Sequence, residues 1–463
     1  MSRDQVENHV HSGTRSDQLA TLPDKVLSQI FETVGLISRT DLCHISRLNK
    51  KYHGLADSIL YKEIRFDSPE LHVIFSESLS RRPRRGSAIH DITLAYPSSE
   101  LSQLILQTPL NARTYAPSRA DSLSRTISTM SNLEKLDIAV PDTLLHGIGT
   151  LFNGPFDLAC LKTCSLFYQC KGNAYWDLRE NIHIFAHPTV ETLVIRRAKL
   201  DYRGFDFLER PHQTTLKKLH LIECDFNDDA LSDVLEFSEG LTEFVMTQLA
   251  EPVPDMEEAS DKIDDYILAL SSQAPTLESI TIDVPTLTGR RPLRMREFVS
   301  LTTLRINWDY QLFGKTSKKP RMHSVGLPPE LETLEFFNEL GSDEAVTDML
   351  AGTIESKGIL ARKWKTMIVV ADEDGEIPRE IFAACKGQPD LDLQIIGGAE
   401  DEDEDEEELE EDAEEAEAEA GPEEESEKLQ SEKLQSEKLE AEKLEVEAKD
   451  EPVKEPEQVV VSN

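Results

Sequence analysis

The chain is short of cysteine, aromatic residues and basic charge, and it has no long apolar run. Its six cysteines fall at irregular positions in 463 residues. That usage suits reduced thiols in a cytoplasmic or nuclear protein rather than a disulfide framework. No apolar stretch reaches the roughly 20 residues needed to cross a bilayer. The opening MSRDQVENHVHSG is polar, without the apolar core of a secretory signal, so none is expected. Lys and Arg number 49 against 88 Asp and Glu, a net charge of −39. Broad nucleic-acid binding is therefore not expected, because phosphate contacts need a basic face. The acid is unevenly placed: from Glu400 onward there are 30 acidic and 6 basic residues, before it 58 and 43.

The length allows two or three domains, and 39% hydrophobic residues are enough for a folded core over most of it. Leu19 to Ile64 read as three short amphipathic helices. Leu22-Pro23 opens the first, since Pro at a first helical position loses no bonded N–H, and Thr21 or Asp24 is expected to help cap it. Val26, Leu27, Ile30, Phe31 and Val34 follow at helical spacing. Asp41 is expected to cap the second helix, with Leu42, Ile45 and Leu48 on one face. The third carries Tyr52, Leu55, Ala56, Ile59 and Leu60. So small a module has a marginal core and needs a neighbour or partner to cover its remaining apolar face. Leu71, Ile74, Phe75 and Leu79 then predict a helix within Pro69 to Ala88, ending in Arg81-Arg82-Pro83-Arg84-Arg85. Read alone, that cluster suits nuclear import or a phosphate patch.

From Ile89 the chain repeats a unit of apolar-x-x-apolar-x-apolar. Copies are Ile89-Ile92-Leu94, Leu133-Leu136-Ile138, Leu161-Cys164-Leu166, Val190-Leu193-Ile195, Leu216-Leu219-Leu221, Leu241-Phe244-Met246, Leu277-Ile280-Ile282, Leu301-Leu304-Ile306 and Leu331-Leu334-Phe336, with a weaker Trp364-Met367-Val369. After the first gap, successive starts lie 24 to 36 residues apart. Between them, Asp228 ahead of Leu231, Val234 and Leu235, Asp261 ahead of Ile267, Leu268 and Leu270, and Ser342 ahead of Val346, Met349 and Leu350 predict capped helices. Longer inserts fall at Ala95 to Met130, Phe167 to Pro188, Gln248 to Asp265 and Trp308 to Pro329. No single unit can bury its own apolar face, so stacking must supply the core.

Small motifs are weaker. Gly314-Lys315-Thr316 ends like a phosphate-binding loop, but Asp309 stands where the first glycine belongs, and no nucleotide is expected. Asp372-Glu373-Asp374-Gly375 hints at a calcium loop, but Val370 replaces a needed carboxylate, which leaves a surface turn. Cys160, Cys164 and Cys170 invite a metal, yet Cys164 fills an apolar slot and Cys224 follows Leu221 by three residues, so core packing is the expectation for both. No nucleophile elbow or acid–base constellation stands out; no enzyme, cofactor or metal is expected. After Gly397-Gly398, Glu400 to Glu415 is nearly all carboxylate, too self-repelling to build a core. The pentads from Ser426 place Leu429, Leu434, Leu439 and Leu444 about 500° apart in turn, which spirals around a helix and makes no coiled-coil seam.

Leu-Pro-x-x-x-Leu-x-x-Ile-Phe from Leu22, Asp-Leu-x-x-Ile-x-x-Leu from Asp41, Tyr-x-x-Leu-Ala from Tyr52 and Leu-Tyr-x-x-Ile from Leu60 resemble an F-box. The closing Leu60 to Phe66 resembles the fungal form, while Leu48-Asn49-Lys50 departs from the Val-Cys-Arg or Val-Ser-Arg usual there. The repeats resemble the irregular leucine-rich repeats of F-box proteins. The resemblance implies an α/β fold: a disordered 1–18, a three-helix F-box over 19–66, a linker helix over 67–88, a leucine-rich-repeat solenoid over 89–396 and a disordered acidic tail over 397–463. In that solenoid parallel strands line the concave face and helices the convex face. In fungal F-box proteins Arg-Arg-Pro commonly sits between a helix and the first repeat, which makes the arginine cluster a connection. The implied function is the substrate-recognition subunit of a Skp–cullin–F-box ubiquitin ligase, docked through the Skp-family adaptor to cullin and RING subunits. Leu22, Pro23, Leu27, Ile30, Phe31, Leu42, Ile45 and Leu48 would make or support the adaptor contact. Substrate would meet the outward strand positions, which by parity include Phe167, Arg196, Lys218, His220, Arg305, Asn307, Glu335 and Phe337. The alternative is a ubiquitin-independent interaction protein similar to acidic leucine-rich nuclear phosphoproteins, which bind basic partners such as histones; an F-box-like head is what that family lacks. Ending the chain at Gly398 is expected to leave the thermal melt of the preceding residues cooperative; a lost melt contradicts a tail that builds no core.

Overall fold

Strict alternation of apolar and polar residues over five positions favours a strand with one face buried, and every predicted copy of the unit forms one. The computed structural model describes residues 19–96, 127–128, 130–142, 151, 158–170, 174–201, 213–249, 259–289, 293–308, 326–341, 344–372 and 374–397. The expectations for 1–18, most of the inserts, Gly314-Lys315-Thr316, Ser342 and the acidic tail lie outside these residues. The chain divides into two units, Met1–Gly397 and Gly398–Asn463.

Among the described residues, strands run as β1 (Glu63–Phe66), β2 (Asp91–Ala95), β3 (Lys135–Pro141), β4 (Thr163–Gln169), β5 (Trp176–Asp177), β6 (Thr192–Arg196), β7 (Ala198–Leu200), β8 (Lys218–Ile222), β9 (Asp225–Phe226), β10 (Glu243–Thr247), β11 (Ser279–Asp283), β12 (Thr303–Ile306), β13 (Thr333–Glu339), β14 (Thr366–Val370) and β15 (Asp392–Ile396). Twelve of them form one sheet in the order β1-β2-β3-β4-β6-β8-β10-β11-β12-β13-β14-β15, and β5, β7 and β9 form a small second one. All neighbours pair in parallel. The protein is therefore α/β with a large parallel sheet.

Register follows from the apolar pattern, because a slip of one residue would turn every apolar side chain to the wrong face. Ile64, Ile92, Leu136, Cys164, Leu193, Leu219, Phe244, Ile280, Leu304, Leu334, Met367 and Leu393 align in one row across all twelve strands. The three apolar positions of each of the ten predicted units are at most 4% exposed. Burying one such Leu contributes about 1.5–3 kcal/mol. Parallel sheets are usually covered on both faces; here the alternate strand residues stay half-buried or exposed, so one face is packed and the other open.

In four units a hydroxyl just ahead of the first apolar position ties the unit to the one before. Thr189 Oγ1 donates to the Leu161 carbonyl (2.7 Å), Thr215 Oγ1 to Pro188 (3.0 Å), Thr276 Oγ1 to Leu241 (2.9 Å) and Ser300 Oγ to Pro275 (2.7 Å). Each bond contributes about 0.5–1.5 kcal/mol net.

The α-helices among the described residues are α1 (Asp24–Ile37), α2 (Arg39–Ile45), α3 (Lys50–Leu60), α4 (Pro69–Arg81), α5 (Asp228–Leu235), α6 (Ile263–Leu270), α7 (Glu344–Glu355), α8 (Lys357–Leu360) and α9 (Arg379–Lys386). Several expected caps are corrected. Ser38, not Asp41, caps α2: its side chain accepts from the Asp41 N–H, and Asp41 sits in the first turn where its charge favours the helix dipole. Asn227, not Asp228, caps α5, accepting from the N–H groups of Asp229 and Ala230. Lys262 precedes α6 without a side-chain cap, so Asp261 does not serve there. Pro23 occupies the cap position of α1, with no side-chain cap bond of its own. The helix after Ser68 ends at Arg81, and Pro83–Ala88 form a separate 3-10 turn.

Leu219→Ala is expected to destabilise this unit by about 2–5 kcal/mol, because the row on both sides is rigidly packed. Thr276→Ala is expected to cost only about 0.5–1.5 kcal/mol. Chemical denaturation of both variants beside wild type checks the ranking.

Candidate protein-binding surfaces

The three-helix head has its own small core. Leu27 and Phe31 of α1, Leu42 of α2, and Tyr52 and Ala56 of α3 are buried together. The Phe31 and Tyr52 rings meet edge to face at 5.4 Å. Gly35 lets the helices close: a Cβ there would lie 3.0 Å from Leu42 and 3.5 Å from Ile59. Asn49 caps α3 by accepting from the Tyr52 N–H.

Leu27, Phe31 and Leu42 are therefore core of the head, while Leu22 and Ile45 pack partly against it. Pro23, Ile30 and Leu48 are exposed. Three residues that sequence reasoning left out of the site join them: Val26, Leu36 and Ile37, the last two 89% and 82% exposed. Pro23, Val26, Ile30 and Ile37 recur at spacings that set them along one side of α1. The helical period extended one turn past Val34 would have found Ile37; nothing in sequence separated core from surface positions on so short a helix. A cleft of about 190 Å³ beside this corner is lined by Leu36, Arg39, Leu42, Ile59 and Glu63.

The head is joined rigidly to the sheet. Chain leaving α3 becomes edge strand β1, and the amides of His90 and Asp91 bond the Lys62 carbonyl. Arg85 reaches back to Asp57 with Nε and Nη2, at 3.1 and 3.0 Å. Its guanidinium lies 4.6 Å from the Tyr61 ring centroid. One arginine of the basic cluster is thus a joint, a role that 28 residues of separation hid from sequence.

On the open face of the sheet, Phe167, Arg196, Lys218, His220, Arg305, Glu335 and Phe337 are half-buried or exposed, as parity predicts. Asn307 is the correction: it lies past the end of β12, 5% exposed. Its Oδ1 accepts from the Val284 N–H and its Nδ2 donates to Asp283, both at 2.9 Å, so it ties the ends of β11 and β12 together instead of facing a ligand. The charges are mostly spent on one another. Glu243, unnamed by the sequence reading, accepts from Lys218 (2.6 Å) and meets His220 Nε2 (2.9 Å). Arg305 pairs with Glu335 at 2.9 Å. Burial pushes the Glu243 carboxyl up, but hydrogen bonds from Lys218 and His220 outweigh it and hold the group below its usual 4.5.

All six cysteines are free. Cys164 and Cys224 are buried, and burial raises both thiols, Cys224 to about 12. Cys224 Sγ donates to the carbonyls of Ile195 and Ile222. Asp372 forms the expected turn, its Oδ1 accepting from the N–H groups of Asp374 and Glu376, with Gly375 at φ +75° where only glycine sits without strain. Among the described residues, no group of three or more His, Cys, Asp and Glu is placed to hold a metal ion, and no helix is long and apolar enough to cross a membrane. Comparison of the chain with protein-family models and with curated proteins finds no match in either.

Because Glu243 titrates lower in the folded state, its stabilising effect is present above the usual carboxylate value and is lost as pH falls through the folded one. Wild type is expected to exceed Glu243→Gln near neutral pH by under about 1 kcal/mol, given the partial exposure. The gap should close at a pH below the usual carboxylate value. Urea titrations of both proteins at the two pH values check this.

Proposed function

We propose that this chain is the substrate-recognition subunit of an SCF-type ubiquitin ligase. Its head acts as an F-box on a Skp-family adaptor that bridges to cullin and RING subunits. Its parallel sheet acts as the concave face of an irregular leucine-rich-repeat solenoid that holds the substrate protein. One observation carries the reading. A three-helix head with a five-residue core leaves Pro23, Val26, Ile30, Ile37 and Leu48 uncovered beside that core, and a surface of this kind is stabilised by a partner. In this role the chain does no chemistry; it raises the effective concentration of substrate near a charged ubiquitin-conjugating enzyme. The rigid joint through Arg85 and β1 supports the reading, since a substrate held on the sheet is useful only at a fixed distance from the docked head. Reduced thiols fit a cytoplasmic or nuclear setting.

A second reading rests on the 30 acidic residues from Glu400 onward: a ubiquitin-independent protein that binds basic partners such as histones, with salt-sensitive contacts. Adaptor binding separates the two.

The test is co-purification of the full chain with a Skp-family adaptor, wild type beside Ile30→Asp/Leu48→Asp. Both positions are exposed, so the variant is expected to keep the wild-type melt. Each lost apolar contact removes about 1.5–3 kcal/mol, roughly tenfold or more in affinity. Adaptor retained by wild type and lost by the variant is the expected result. Adaptor held by neither, or by both equally, contradicts the reading.

A further inference from the structure

Arg196 differs from every other strand cation of the large sheet. Arg65 pairs with Asp67, Lys135 with Asp91, Lys218 with Glu243 and Arg305 with Glu335. Arg196, the last residue of β6, is exposed and has no ion pair or side-chain hydrogen bond among the described residues. The next residue, Arg197, is neutralised by Glu223 and leans toward the Phe167 ring, 5.8 Å from its centroid. Among the described residues, one positive charge is left uncompensated on a face where the other strand cations are matched.

Its register partners are apolar. In the sheet register Arg196 stands between Phe167 of β4 and Ile222 of β8. Val194 lies two residues back on the same face of β6. All three are half-buried. The backbone at this point is fixed from both sides. Trp176 Nε1 donates to the Arg196 carbonyl at 2.7 Å, the Arg197 N–H donates to the Ile222 carbonyl at 3.0 Å, and the Trp176 N–H donates to the Arg197 carbonyl at 3.1 Å. Arg197 itself is held in the left-handed region, at φ 52°. A guanidinium on a pinned backbone loses less freedom on binding than one on a loop. A ligand that covers these apolar neighbours would displace water from the guanidinium, which strengthens a charge pair formed there. The planar fork of arginine takes a carboxylate through two parallel hydrogen bonds.

We propose that Arg196, with Phe167, Val194 and Ile222, forms the principal substrate-recognition point of the sheet, and that its ligand is a peptide segment presenting an Asp or Glu side chain next to apolar side chains. The assignment rests on the reading of the sheet as a substrate-holding surface and names the chemistry of that substrate. The paired cations Lys218 and Arg305 are poorer receptors, because an incoming carboxylate would have to displace Glu243 or Glu335.

The test is selection of a displayed library of random linear peptides against the full chain. Affinities of the enriched peptides are then measured by fluorescence anisotropy for wild type, Arg196→Ala, Arg196→Lys and Phe167→Ala. Enriched peptides are expected to share an acidic residue flanked by apolar ones. Arg196→Ala should weaken them on the order of 10- to 100-fold. Arg196→Lys should restore part of that loss, because it keeps the charge and loses the fork. Selection repeated on Arg196→Glu should no longer enrich acidic peptides. No enrichment, enrichment without an acidic residue, or acidic peptides bound equally by Arg196→Ala overturns the proposal. Adaptor co-purification is run on the same proteins. Arg196 lies on the sheet and not in the head, so Arg196→Glu should retain adaptor as wild type does. If wild type holds no adaptor, the ligase reading fails while the peptide result stands.

Discussion

No strand unit in this chain can bury its apolar face alone, and everything else in the structure follows from that. Each contributes two apolar side chains on one face of a short strand and a third from just before it, and only a neighbour in register covers them. The result is one aligned row from Ile64 in β1 to Leu393 in β15. Units are further stitched by hydroxyls such as Thr189 and Thr276, which bond a carbonyl of the unit before. A sheet assembled this way stands or falls with its nearest-neighbour interfaces. The head is subject to the same rule. Its own core is too small to stand apart, so β1 and the Arg85–Asp57 pair fasten it to the first units.

The two candidate surfaces differ in how far they satisfy themselves. Charges on the open sheet face are largely matched: Lys218 and His220 share Glu243, and Arg305 holds Glu335. Matched charges resist non-specific binding and leave recognition to the few groups without a partner. The head is the opposite case. Its exposed apolar side runs along α1 from Pro23 to Ile37, and its burial on a partner is favourable by area. In the proposed role, the head holds one partner and the sheet chooses another.

The sheet was legible in sequence because period-two alternation repeats ten times, and each copy reinforces the same register. Its edges were not. β1 lies within a segment whose closing pattern reads as part of the head, and β15 is mostly exposed, without the burial that writes alternation into sequence. Capping residues were misplaced by one to three positions. Asp41, Asp228 and Asp261 are acidic residues near helix starts, which the dipole favours, and the side chain that caps is a different local choice, Ser38 or Asn227. In the candidate sites, parity found the open-face residues and failed only at Asn307, which lies past the strand end where alternation no longer holds. The joint between Arg85 and Asp57, and the pairing of Glu243, depend on contacts across 28 and 23 or more residues that no local pattern encodes. That the Arg196 side chain has no partner among the described residues was invisible for the same reason.

The central claim, that the head is a docking module fixed to a recognition sheet, is tested most directly by amide hydrogen exchange of the full chain with and without a Skp-family adaptor. Binding slows exchange where it suppresses local opening. The account predicts slower exchange in peptides spanning Pro23 to Leu48 and unchanged exchange in peptides from β4 to β14. Unchanged exchange in the head, or protection confined to the sheet, would contradict it.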